Sequence, residues 1–95
     1  MQYIVETFRN PGEPSNAPLR VRPLSGQGLD KSIRVECSRA MREAHPVGQK
    51  FLINTQWKQR QGTPDWLYSN FRDPWQPVSS EEADRFIRTH FGESK

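Results

Sequence analysis

The chain has 95 residues, of which 33% are hydrophobic, 26% are charged and eight are proline. This length fits a single domain over residues 1–95 and is too short for a deep catalytic core. The one cysteine excludes an intramolecular disulfide, and each apolar run falls short of the roughly 20 residues that span a membrane. Residues 1–6 lack the basic and apolar segments of a secretory signal, so we expect a cytoplasmic protein from a short open reading frame.

The first 30 residues predict one strand and then a long irregular region. Residues 2–8 are rich in aromatic and β-branched side chains, which favour a strand. Residues 10–30 form a Pro- and Gly-rich loop region, within which residues 19–22 alternate as a short strand ended by Pro23. This loop region is either a mobile excursion or an irregular arm laid over the core.

The next residues predict a strand and a short helix. Residues 33–37 alternate between apolar and polar side chains, which indicates a half-buried strand with Cys37 facing inward. Residues 38–44 favour a short helix, with Ser38 as its cap and Pro46 as its stop.

A hairpin follows. Along residues 51–58 the larger and the more polar side chains alternate more regularly than in any other segment, which predicts a strand. A Gly-containing connection at residues 61–65 joins this strand to a partner at residues 66–71. Residues 73–77 contain two prolines, which end the partner strand because proline cannot donate a ladder hydrogen bond.

The C-terminal residues predict an amphipathic helix over residues 79–91. Ser79 and Glu82 have the spacing of a capping box, and Gly92 is a natural stop. With the strands above, this helix predicts an α+β fold. We expect a small, strongly bent antiparallel sheet or open barrel of four or five strands, with the C-terminal helix covering one apolar side.

Two short motifs lie within residues 33–80: HPVGQKF at 45–51 and GTPDWLYS at 62–69. In these motifs the chain resembles small uncharacterised bacterial proteins, some of them products of mobile gene cassettes such as integron cassettes. The resemblance implies a compact β-rich domain without an assigned chemistry. It transfers no catalytic residue.

Few side chains are suited to metal binding or catalysis. Cys37, His45 and His90 are the only soft or borderline metal ligands, and they lack the close pairing that is typical of zinc sites. Cys37 and His45 are the residue types of a nucleophile and its base, but their spacing in the sequence does not indicate that they pair. We therefore expect no metal, no cofactor and no enzymatic activity.

Basic residues concentrate in the middle of the chain. Residues 20–60 contain nine basic and three acidic side chains, a net charge of +6, whereas the remaining residues together carry −3. Such a segment attracts phosphate or an acidic partner. The alternative interpretation is an ordinary solvated surface.

Aromatic residues lie among basic ones around the predicted hairpin. Rings that stack on bases and cations that contact phosphates are typical of single-stranded nucleic-acid binding. The sequence therefore predicts a small non-catalytic binding module that contacts nucleic acid. The candidate contact residues are Arg20, Arg22, Arg34, Arg39, Arg42, Lys58, Arg60, Arg72 and Trp75.

The hydrophobic core competes for the same aromatic residues. Trp57 shares a face of its predicted strand with Phe51, so we expect it in the core. Trp66 and Tyr68 share one face of the next strand, opposite Leu67, and at least one of these two faces must be buried. Trp75 lies between prolines and is expected to be the most exposed aromatic residue.

The alternative function is a protein-interaction or homo-oligomeric module. An open strand edge at residues 2–8 or 66–71 would pair with another chain. The positions of five arginines discriminate between the two functions. If these arginines lie on one face of the protein, nucleic-acid binding is favoured. If they scatter, or form ion pairs with Glu36 and Glu43, nucleic-acid binding is less well supported. These arginines are Arg20, Arg22, Arg34, Arg39 and Arg42.

Overall fold

The computed structural model describes residues 1–14 and 16–92. Over these residues the chain forms seven strands and two helices: β1 (Gln2–Phe8), β2 (Arg20–Pro23), β3 (Val35–Glu36), α1 (Arg39–Glu43), β4 (Lys50–Asn54), β5 (Gln56–Lys58), β6 (Trp66–Tyr68), β7 (Trp75–Val78) and α2 (Ser80–Phe91). The predicted α+β class with a C-terminal helix is confirmed. Ser15, in the predicted loop region, and residues 93–95, in the predicted single domain, lie outside the described residues. Neither described helix is long and apolar enough to cross a membrane.

The first sheet is antiparallel and has the strand order β2-β1-β4-β7. Its strand β1 is buried on both faces because a different apolar layer covers each of them. On one face Val5 packs with Phe51, and on the other face Ile4 packs with Ala83 of α2. This two-sided burial explains why residues 3–5 are all apolar rather than alternating.

The second sheet has the strand order β3-β6-β5. β5 and β6 form the predicted hairpin, whereas β3 runs parallel to β6 rather than antiparallel. The strand predicted over residues 66–71 ends at Tyr68 because a turn follows, in which the Asp73 amide donates to the Asn70 carbonyl oxygen at 2.9 Å. The strand predicted over residues 33–37 is likewise limited to the two residues of β3.

The single strand predicted over residues 51–58 is wrong, because the chain passes there from the first sheet to the second. The break is at Thr55, which is buried and bound to Met1. The Thr55 amide and hydroxyl donate to the Met1 carbonyl oxygen at 2.7 and 2.9 Å. Trp57 therefore leaves the sheet of Phe51 and is 40% exposed, so its predicted place in that core is also wrong.

The predicted open edges at residues 2–8 and 66–71 are wrong. β1 lies between β2 and β4, and β6 lies between β3 and β5, so both strands are paired on two sides. Among residues 1–14 and 16–92, the edge strands are β2 and β7 in the first sheet and β3 and β5 in the second.

Trp75 belongs to β7, so the prediction that residues 73–77 only end the hairpin is wrong. Trp75 lies opposite Ile53 of β4, and Pro77 lies opposite Phe51. An edge strand tolerates proline because one side of its backbone needs no ladder partner. The pairing turns the Trp75 ring into the core, where it meets Phe51 edge to face at a centroid distance of 5.6 Å. Trp75 is half-buried, and the prediction that it is the most exposed aromatic residue is wrong, since Phe71 is 67% exposed.

Residues 24–30 form the irregular arm over the core that was one of the two alternatives for this region. The arm is fixed by Gln27, whose side chain is buried against β1. The Ile4 amide donates to Gln27 Oε1 at 2.7 Å, and Gln27 Nε2 donates to the Ile4 and Leu24 carbonyl oxygens at 2.8 and 3.0 Å. A side-chain amide thus continues the pairing of β1 where β2 has ended.

Both helices begin as the sequence predicts. Ser38 caps α1 by accepting from the Met41 amide at 3.3 Å. The capping box of α2 is complete, since the Glu82 amide donates to Ser79 Oγ at 3.0 Å and the Ser79 amide donates to Glu82 Oε1 at 2.8 Å. The helix ends at Phe91, one residue before Gly92.

Ser79→Ala is expected to lower the free energy of unfolding by about 1 kcal/mol, because it leaves a helix N-terminal amide without its acceptor. Urea denaturation measures this difference. Ser80→Ala is the matched control, since Ser80 is the first residue inside the helix and does not cap it. Equal stability of the two variants would contradict a capping role for Ser79.

Candidate nucleic-acid interface

One face of the second sheet points away from the core. Leu67 is fully buried, and its neighbours Val35 and Trp57 lie directly opposite it and share its face. Side chains alternate across a strand, so Trp66 and Tyr68 project from the other face. Of the two faces weighed from the sequence, the Leu67 face is therefore the inward one.

The outward face combines two aromatic rings with basic side chains. Lys58 lies opposite Trp66, and Glu36 lies beside Tyr68. Arg34 and Arg60 reach the same face, because their guanidinium carbons lie 4.7 and 5.8 Å from the Trp66 ring centroid. We call this surface the aromatic face and define it by Arg34, Glu36, Lys58, Arg60, Trp66 and Tyr68.

The aromatic face is held in place by contacts between its own side chains. Trp66 Nε1 donates to Glu36 Oε1 at 3.0 Å, while the other carboxylate oxygen lies 3.2 Å from Arg34 Nη2. Lys58 Nζ lies 5.1 Å from the Tyr68 ring centroid. Each ring therefore has a cation near it, and three cations against one carboxylate give the face a net charge of +2.

Three of the nine candidate contact residues meet on this face: Arg34, Lys58 and Arg60. Two others, Arg20 and Arg42, line a groove beside it together with Arg34. The remaining four lie elsewhere. Their neighbours are Glu6 and Phe8 for Arg22, Glu43 for Arg39, Phe71 for Arg72, and Phe51 and His45 for Trp75.

The five arginines of residues 20–42 do not share one face, and four of them form ion pairs. Arg34 pairs with Glu36 at 3.2 Å and Arg39 with Glu43 at 2.7 Å, which are the two acids named as competitors. Arg20 and Arg22 pair with Glu13 at 3.0 Å and Glu6 at 2.9 Å. The +6 segment is therefore not one basic surface, and by the criterion given above this weakens the nucleic-acid interpretation of the segment as a whole. What remains of the candidate interface is the aromatic face and the groove.

The sequence reasoning named Glu36 only as a partner of arginine, and it missed the hydrogen bond from Trp66 to Glu36 and the contact of Arg34 with the Trp66 ring. Both depend on the parallel pairing of β3 with β6, in which the Leu67 amide donates to the Arg34 carbonyl oxygen at 3.0 Å. The signal within the sequence was the alternation of Trp66 and Tyr68 around Leu67. That alternation does not show which distant strand lies beside the two rings.

Both histidine rings pack against aromatic side chains. The His45 ring packs edge-on against Phe51 and Trp75, at centroid distances of 5.4 and 6.2 Å. His90 stacks on Phe86 at 4.1 Å. Over residues 1–14 and 16–92, no three His, Cys, Asp or Glu side chains are grouped closely enough to hold a metal ion.

Burial raises the pKa of the Cys37 thiol to about 11, and the nearby Arg42 charge opposes this rise only in part. The neutral thiol is favoured because the core does not solvate a thiolate. We expect Cys37 to react with a disulfide reagent at pH 8 roughly 100-fold more slowly than a free cysteine, whose pKa is about 8.5. The rate should then rise about tenfold per pH unit until the pH approaches the pKa. A rate that levels off near pH 8.5 would contradict this.

Comparison with protein-family models, with curated proteins and with solved structures finds no significant match. The resemblance of residues 33–80 to integron cassette proteins stays a prediction.

Proposed function

We propose that the protein is a small non-catalytic module that binds single-stranded nucleic acid on its aromatic face. The observation that carries this proposal is the placement of Trp66 and Tyr68 on the central strand of an outward-facing sheet surface. Cations from both neighbouring sides, Arg34 on one and Lys58 and Arg60 on the other, surround the two rings. We place this binding in the cytoplasm, where a single unpaired cysteine is the ordinary state.

The spacing of the two rings fits unstacked bases. Residues two apart on one strand face are separated by about 6.6 Å, roughly twice the rise between stacked bases. A single strand can splay its bases to this spacing, whereas a duplex keeps them paired and stacked. The aromatic face therefore favours single strands over duplexes.

A base can gain access to Trp66 at small cost. The cations over this ring belong to exposed side chains, and an exposed cation–π contact is worth about 0.5–1 kcal/mol. Stacking of a base on an aromatic side chain contributes about 1–3 kcal/mol. A displaced guanidinium then contacts the phosphate that follows the stacked base.

A salt titration tests the proposal. Fluorescence anisotropy with a labelled single strand of about eight nucleotides should show binding at low salt, with a slope of log K against log salt at least as steep as about −2, since the three cations of the aromatic face neutralise three phosphates. The same sequence as a duplex should bind more weakly. Absence of binding to the single strand at low salt would overturn the proposal.

Self-association along β5 is a second candidate function. Among the described residues β5 is an edge strand, and it carries Trp57, which is 40% exposed. An exposed edge with a large apolar side chain favours pairing with another chain. Light scattering over a range of protein concentrations tests this, and a strict monomer would count against it.

A further inference from the structure

A basic groove lies beside the aromatic face, between β2 and β3. Its volume is about 340 Å³, and its walls include Glu13, Leu19, Arg20, Arg34 and Arg42. Arg34 belongs to both surfaces, because it lines the groove and its guanidinium lies over Trp66. The groove therefore begins where the aromatic face ends.

Arg42 gives the groove a positive charge that no acid in the described part of the chain pairs with. Its Nη1 donates to the Leu19 carbonyl oxygen at 2.9 Å, and it forms no ion pair within residues 1–14 and 16–92. Its Nε is buried and has no hydrogen-bond partner among those residues. Helix α1 fixes the base of this side chain, because Met41 is 1% exposed and Ser38 caps the helix. The Arg42 guanidinium is thus a cation held in place by helix α1, with N–H groups that remain available to a ligand.

Glu13 occupies part of the groove as an internal anion. One of its carboxylate oxygens accepts from Arg20 Nε and Nη2 at 3.1 and 3.0 Å, and the other accepts from the Asn10 amide at 3.0 Å. The hydrogen bond from Arg20 is the main reason that the pKa of Glu13 lies below its usual range, so the carboxylate is charged at neutral pH. Arg20 thus donates two N–H groups to a single carboxylate oxygen, and a phosphate oxygen can accept from the same two groups.

We infer that this groove is a phosphate subsite that takes the sugar-phosphate backbone of the strand whose bases stack on Trp66 and Tyr68. The inference rests on the proposed function and adds the route of the bound strand. The strand passes from the aromatic face over Arg34 into the groove, where Arg42 and Arg20 contact successive phosphates. Glu13 competes with the phosphate for Arg20 and weakens the binding.

The experiment measures the affinities of four single substitutions for oligothymidines of about three and about eight nucleotides, by anisotropy over a range of salt concentrations. The longer strand reaches the groove and the shorter one covers little more than the two rings. Arg20→Gln and Arg42→Gln should each weaken binding of the longer strand about threefold to tenfold and make its salt slope shallower by about 0.7, while leaving the shorter strand unaffected. Glu13→Gln should tighten binding of the longer strand by a similar factor.

Arg39→Gln is the matched control, because Arg39 pairs with Glu43 and is not among the residues that line the groove. Arg20 has a side chain 55% exposed, so its substitution keeps the test valid even if Arg42→Gln fails to fold. If the protein binds both strands and Arg20→Gln and Glu13→Gln behave like the control, the phosphate subsite is overturned and the proposed function stands. If the unsubstituted protein binds neither strand, both are overturned.

Discussion

Trp66→Ala is expected to weaken the binding of single-stranded nucleic acid by about 10- to 100-fold. The substitution removes the ring at the centre of the aromatic face, and one stacked base contributes about 1–3 kcal/mol. It also removes the hydrogen bond that the Trp66 indole donates to Glu36, whose carboxylate then keeps only its ion pair with Arg34. Fluorescence anisotropy at low salt measures the change.

Two controls separate stacking from folding. Trp57→Ala removes the same kind of ring, and a more exposed one, from the same hairpin, but Trp57 shares the inward face with Leu67. It should leave the affinity unchanged within about twofold, because its ring does not face the bound bases. Trp66→Phe retains a ring without the indole donor and should recover part of the affinity. Equal losses for Trp66→Ala and Trp57→Ala would contradict a specific role for the aromatic face.

Gln27→Met is expected to lower the free energy of unfolding by about 2–4 kcal/mol. The Ile4 amide would lose its acceptor in a fully buried position, and an unpaired buried group costs about 1–3 kcal/mol. The two hydrogen bonds donated by Gln27 Nε2 are lost as well, at about 1 kcal/mol each, although the Ile4 carbonyl oxygen still accepts from the Leu24 amide. Methionine has a similar volume, so packing accounts for little of the difference.

Thermal and urea denaturation measure this effect. The midpoint of thermal unfolding should fall by roughly 10–20 °C, given the usual relation for a domain of this size. Gln61→Met, in the exposed turn before β6, is the control and should change stability by less than about 0.5 kcal/mol. A Gln27→Met protein as stable as this control would show that Gln27 does not fix the arm to β1.

Elements that depend on neighbouring residues could be predicted from the sequence. The capping box of Ser79 and Glu82 lies within four residues, and helix α2 begins where that motif places it. Strand β1 has the bounds that its β-branched and aromatic residues predict. The capping contacts of α2 lie close together along the chain, whereas β1 was predictable from its side-chain composition alone, since its partner strands β2 and β4 are distant in the sequence.

Elements that depend on distant partners could not be predicted. The break at Thr55 depends on Met1, and the arm depends on a hydrogen bond between residues 23 apart, Gln27 and Ile4. The sequence pattern placed Gln27 in a loop and Thr55 in a strand, because such a pattern does not show which buried backbone group a polar side chain satisfies. Trp75 was misplaced for the same reason, since its burial follows from the pairing of β7 with β4.

The sequence predicted the kind of candidate site, aromatic rings among basic side chains, but not which residues belong to it. The alternation of Trp66 and Tyr68 and the nearby Lys58 and Arg60 were visible in the sequence. The sequence did not show which basic residues belong to the site, because ion pairs such as that of Arg39 with Glu43 form only once the chain has folded. Net charge along the chain therefore overstates the basic surface, and the three-dimensional pairing of each arginine decides which charges remain for a ligand.

The most direct test of the central claim follows the three tryptophan indole N–H signals by NMR during titration with a single-stranded oligonucleotide. The three side chains occupy different places: Trp66 on the aromatic face, Trp57 on the opposite face of the same sheet and Trp75 against the core. We predict that the Trp66 indole signal shifts progressively to saturation, while the Trp57 and Trp75 signals stay in place. Shifts confined to Trp57, or no shift of Trp66 at oligonucleotide concentrations that saturate binding, would contradict binding on the aromatic face.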